Sequence, residues 1–96
     1  MYKISPNLYT QLANELFESI TSLSFYTGVI EFEYDDTDIR FVSTLIPYFR
    51  PEFGNETTEY ILYDIIPVWW EIHTTTLDGE EINDFDFTTF KEYICQ

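Results

Sequence analysis

Apolar residues at Leu8, Leu12, Leu16 and Ile20 recur every four positions, and Ala13, Phe17 and Leu23 widen the stripe. That spacing marks one face of an α-helix. Asn7, Gln11, Asn14, Glu15, Glu18 and Ser22 fill the opposite face. Ser5 suits the N-cap and Pro6 the first helical position. The pattern predicts a helix from about residue 6 to about residue 22, covering a sheet with its apolar side.

The period then changes from four to two. Ile30, Phe32 and Tyr34 alternate with Glu31 and Glu33, and Ile39 and Phe41 flank Arg40. Asp35-Asp36-Thr37-Asp38 between them has turn chemistry. A turn of all four residues pairs Tyr34 with Ile39, Phe32 with Phe41 and Glu33 with Arg40, the last an opposite-charge cross-strand pair. The second strand is expected to continue through Val42, Leu45 and Ile46 toward Pro47. Residues 47–57, with two prolines and Gly54-Asn55, read as a loop.

From Tyr60 to Thr76 the chain is rich in Ile, Tyr, Trp and Thr, which favour strands. Pro67 cannot donate to a ladder and marks a bulge, an edge or a bend. The segment reads as two strands, about 58–66 and 68–76, or as one long bent strand. Asp78-Gly79 signals a hairpin, with Glu80 to Ile82 as a short return strand. Asp84 or Asp86 caps a final helix with Phe87, Phe90 and Ile94 on one face and Lys91 near its C-terminal end. The expected architecture is a single α+β domain over residues 1–96. An N-terminal amphipathic helix packs on an antiparallel sheet of three to five strands, and a short C-terminal helix follows.

Composition sharpens this picture. The 9 Phe, 8 Tyr and 2 Trp can build a core, unlike the aromatic-poor composition of acidic disordered chains. Against 18 Asp and Glu stand 4 Lys and Arg, for a net charge of −14. That balance argues against direct nucleic-acid binding, which needs clustered Lys and Arg, and against an anionic membrane surface. Self-repulsion predicts higher stability in moderate salt than at low ionic strength. The N-terminus lacks the apolar region of a signal peptide, and no run is apolar enough to span a membrane, so the expected location is cytoplasmic. The lone Cys95 excludes an internal disulfide and a multi-cysteine zinc site, and it lies where chain ends tend to fray.

Catalytic and metal-binding chemistry finds little support. His73, the one histidine, shares a strand face with Trp69 and Glu71, so Glu71 is placed to orient it as a general base. The ordinary reading is a half-exposed strand histidine. The glycines at 28, 54 and 79 are isolated, which excludes a glycine-rich phosphate loop. Asp84-x-Asp86 begins like a calcium loop, but Thr88, Thr89 and Cys95 stand where the loop needs a ligand, a glycine and a glutamate. Asp35, Asp36 and Asp38 read as a solvated turn before they read as a weak cation site. The expectation is a protein that is not an enzyme, with no catalytic residue, no metal and no cofactor.

The charge pattern remains. Glu31, Glu33, Asp35, Asp36 and Asp38 form one run without a base, and Asp78, Glu80, Glu81, Asp84 and Asp86 form a second. Glu31 and Glu33 on one strand face stand roughly 6.8 Å apart. That is about two nucleotide rises of roughly 3.4 Å, a coarse echo of a phosphate row. Solubility alone asks for a net charge of magnitude about 2–8 in a small domain, and this chain carries −14. In charge and size the chain is similar to small acidic inhibitors, such as DNA-mimic proteins that block restriction or CRISPR enzymes and immunity proteins that neutralise nuclease toxins. The expectation is a non-enzymatic acidic binding protein whose ten run residues form one negative face. That face would occupy a basic protein surface, such as that of a nuclease or another nucleic-acid-binding protein, with Trp69 and Trp70 as aromatic anchors.

The alternative is a structural or assembly module, or a homodimer, using an aromatic sheet surface. Adjacent Trp69 and Trp70 point to opposite faces of a strand. One is expected to enter the core under the first helix, and the other to be covered by a partner or by residues 47–57.

Overall fold

The first helix, α1 (Pro6–Ile20), starts where its capping residues predict. Ser5 Oγ accepts the Leu8 N–H at 3.2 Å. Leu8, Leu12, Ala13, Leu16 and Ile20 are buried, and Tyr9 joins them. Phe17 departs from the expected stripe and is 37% exposed. It lies about 100° around the helix from Leu16, at the margin of what one sheet surface can cover. The computed structural model describes residues 1–20, 24–54 and 58–95. Ser22 and Leu23, expected on the helix, and Asn55, expected in the loop, lie outside the described residues.

Among the described residues, four antiparallel strands follow in chain order, each paired with the next: β1 (Tyr26–Tyr34), β2 (Thr37–Phe53), β3 (Thr58–Thr76) and β4 (Gly79–Glu81). The β1–β2 connection is tighter than expected. Tyr34 pairs with Thr37, Phe32 with Ile39, Glu31 with Arg40 and Ile30 with Phe41. The turn is Asp35-Asp36 alone, with φ of 46° and 61°. Aspartate tolerates this left-handed backbone, and a two-residue turn of that hand matches the twist of the strands. The change of register spans two residues, so every side chain keeps its face.

Residues 47–53 are strand rather than loop. The two-residue turn makes Tyr34 and Thr37 a pair that exchanges both hydrogen bonds, so odd-numbered β2 residues direct their backbone groups toward β1. β1 starts opposite Leu45. Pro47 and Pro51 therefore turn their nitrogens to an edge that β1 has vacated, where no donor is needed. Thr58–Thr76 is one long strand with register shifts at Thr44/Leu45 and Tyr48/Phe49. These leave Val68 and Tyr63 as extra residues on β3, the first beside Pro67. Beyond Leu45, β2 and β3 run on as a two-stranded arm. The molecule measures 52 × 24 × 19 Å.

Both helices lie on one face of the sheet. Leu8, Leu12, Leu16 and Ile20 of α1 share a core with Ile30, Ile39, Phe41, Leu45, Leu62 and Ile65. Phe87, Phe90 and Ile94 of α2 (Phe87–Ile94) complete it. Asp86 caps α2, its carboxylate accepting from Thr88 N–H at 3.2 Å and Thr89 Oγ1 at 2.9 Å. Trp70 is the tryptophan that packs, partly buried, against the core. It packs beside α2, with ring centroids 5.2 Å from Phe85 and 5.9 Å from Phe87.

An N-terminal strap crosses to the segment between β4 and α2. Tyr2 N–H donates to Ile82 O at 2.7 Å, and Ile4 N–H to Asp84 Oδ1 at 2.7 Å. Asp86 N–H donates to Tyr9 Oη at 3.0 Å, which ties α1 to the start of α2. Tyr9 stacks on Tyr93 at 5.2 Å between centroids. Burial raises its phenol pKa above the ordinary value.

Candidate functional site

The sheet's other face is open, and its residues follow from the register. Glu31 and Glu33 on β1, Asp38 and Arg40 on β2, Glu71 and His73 on β3 and Glu80 on β4 project there from one end. Asp38 pairs with Thr75, so the β1–β2 and β3–β4 turns sit side by side at that end. Asp35, Asp36 and Asp78 in the turns extend the same acidic end. Seven of the ten residues expected on one face come together: Glu31, Glu33, Asp35, Asp36, Asp38, Asp78 and Glu80.

The other three part from them. Glu81 is paired with buried Thr74, which sets its side chain toward the helix face. Asp84 holds the Ile4 N–H and Asp86 caps α2. Their carboxylates serve backbone donors because the chain has left the sheet by that point and crosses to the helix layer.

Two basic side chains sit among the clustered acids. Arg40 Nε meets Glu31 Oε1 at 2.9 Å. His73 lies between two carboxylates, with Nδ1 2.8 Å from Glu80 Oε1 and Nε2 3.1 Å from Glu71 Oε2. Only the imidazolium donates from both nitrogens. The hydrogen bond to Glu71, then that to Glu80, raises the His73 pKa above 6.5. Both ring nitrogens lie within hydrogen-bonding distance of a carboxylate. Glu71 was legible from its spacing. Glu80 was not, because its place opposite Thr75 depends on the length of the β3–β4 turn. The charged end encloses a shallow, open depression of about 640 Å³.

Toward the arm the open face turns apolar. Val29 pairs with Val42, Thr44 with Trp69 and Ile46 with Ile66. Trp69 is 49% exposed and Val68 is 60% exposed. The expectation that residues 47–57 cover one tryptophan fails for the described part of that segment, which extends along β3 as strand. Sequence alternation flagged Trp69 but not Val29, Ile66 or Val68, whose exposure follows from both helices packing on the other side.

Cys95 is not frayed. It closes α2, its N–H donating to Lys91 O at 2.9 Å, and burial pushes its thiol pKa up. Among the described residues no group of His, Cys, Asp and Glu is placed to hold a metal ion, and no helix is long and apolar enough to cross a membrane. Comparison of the chain with protein-family models, curated proteins and solved structures finds no match.

Proposed function

We propose that the protein is a non-enzymatic binding protein whose acidic sheet end engages a basic surface on a protein partner, as a nucleic-acid-binding groove would offer. One observation supports this reading above the others. The two hairpin turns are neighbours, so acids from separate parts of the sequence share one end of the open face with the basic side chains of Arg40 and His73. Their combined field is long-ranged and attracts a cationic surface before contact. A set of basic nucleic-acid-binding proteins, nucleases included, tests the idea. Binding is measured at low and high salt for the native chain and for a variant with Asp35, Asp36, Asp38 and Asp78 each changed to Asn. Salt-sensitive binding that the variant loses supports the reading. Binding by none of the set, or binding indifferent to salt and to the variant, sinks it.

A second reading, assembly or homodimerisation through the open face, draws on the half-exposed Trp69 and its apolar neighbours Val29, Ile66 and Val68. Light scattering across a concentration series separates the two, since a strict monomer removes the second.

A further inference from the structure

We propose that the outer edge of β1 is a strand-addition site for an extended basic segment of the partner. This deepens the reading of the acidic end and rests on it. Among the described residues the three long strands each leave an edge at least partly free, and the edges differ. β2 places Pro47 and Pro51 on its free stretch. β3 carries Pro67 and the two register shifts. Prolines and bulges keep edges from pairing with other chains. β1 has neither. Its nine residues pair with β2 in one unbroken register.

The tight turn decides which β1 groups face outward. Tyr34 exchanges both hydrogen bonds with Thr37, so Phe32, Ile30 and Gly28 also turn inward. Thr27, Val29, Glu31 and Glu33 direct their N–H and C=O groups to the outer edge. Among the described residues, no hydrogen bond reaches these groups. The same four side chains are exposed on the open face. An added strand therefore meets a row of free donors and acceptors beside a row of known side chains.

Charge selects the occupant. Glu31 is engaged by Arg40 on its β2 side, but Glu33 stands across from Asp38, a like charge. A strand laid on the outer edge sets one residue directly beside Glu33, and Lys or Arg there relieves the repulsion. On the other face the added strand lies beside Ile30 and Phe32, where β-branched residues are suited. A second copy of this chain would instead bring a further charge of −14 and the same glutamates. The partner is thus a protein presenting a segment in which basic and apolar residues alternate.

The probe is an eight-residue peptide of alternating Lys and Val, with two controls. One is N-methylated at the backbone amides that would face β1, and the other carries Glu in place of Lys. Affinity is read by fluorescence anisotropy, and amide exchange by NMR on the full chain. The Lys-Val peptide is expected to slow exchange at Thr27, Val29, Glu31 and Glu33. The N-methylated peptide should bind about tenfold or more weakly, through the loss of several ladder hydrogen bonds, and the Glu peptide should not bind. Val29→Pro removes one outward N–H and should weaken the Lys-Val peptide. Glu33→Lys, which leaves the edge intact, should weaken it independently if that proline variant does not fold. Equal binding of the N-methylated peptide overturns strand addition while leaving the acidic-end reading in place. Failure of every cationic probe, together with the basic proteins above, overturns both. Concentration-dependent dimerisation that protects the same four amides without peptide overturns the assignment in favour of a second copy.

Discussion

Glu33 stands directly opposite Asp38 in the β1–β2 ladder, so two carboxylates face each other where the expected neighbour of Glu33 was Arg40. Like charges directly opposite in a sheet destabilise it. Asp38→Lys converts the pair to an attractive one and should raise unfolding free energy by about 0.5–1 kcal/mol, more at low salt. Urea denaturation at two ionic strengths measures this. Unchanged or reduced stability would show that solvent already screens the pair. The same substitution should weaken binding to a basic partner, so that stability and binding move in opposite directions.

His73 gives the fold a pH dependence of definite sign. Its folded-state pKa is raised above the ordinary 6.5 by its hydrogen bonds to Glu71 and Glu80. A raised histidine pKa contributes stability that is complete below the unfolded value and fades as pH rises through the folded one. An NMR titration of the ring should give a midpoint above 6.5, and Glu71→Gln or Glu80→Gln should each lower it. His73→Gln should flatten the corresponding part of the stability profile. A midpoint at or below the ordinary value would contradict the carboxylate clamp.

Ser43 occupies the helix face between Gly28 and Trp70, buried, and its Oγ has no hydrogen-bond partner among the described residues. A buried hydroxyl without a partner carries an uncompensated desolvation penalty. Ser43→Ala should therefore stabilise the protein by about 1 kcal/mol. Thermal unfolding checks it, and a loss of stability would mean that the hydroxyl does find a partner.

The parts of the fold legible in the sequence were those fixed by neighbours along the chain. The spacing of Leu8, Leu12, Leu16 and Ile20 gave α1, and Phe87, Phe90 and Ile94 gave α2. Alternation set the faces of β1 and β2 correctly even where the register was two residues out, because a two-residue slip preserves the face. Pro47 and Pro51 misled because the rule against proline in strands applies to paired edges, and nothing local reveals that β1 stops at Tyr26. The acidic end was readable as two runs, but Asp84 and Asp86 were claimed by Ile4 and Thr88, partners chosen by tertiary structure. Glu71 and Glu80 meet at His73 for the same reason: three residues on two strands converge only once the register is set.

The strap from Tyr2 and Ile4 to Asp84 joins residues 80 positions apart, whereas each strand pairs only with its neighbour in sequence. Short-range pairings form early and closures across most of a chain form late, because of the chain entropy they must overcome. The strap should therefore be absent from the folding transition state and should act as a latch on the finished molecule. Asp84→Ala should then accelerate unfolding in stopped-flow experiments and leave the refolding rate nearly unchanged. A slowed refolding limb would instead place the N-terminus in the nucleus. On this view the few residues before α1 govern how long the native state persists, while the hairpins govern how quickly it is reached.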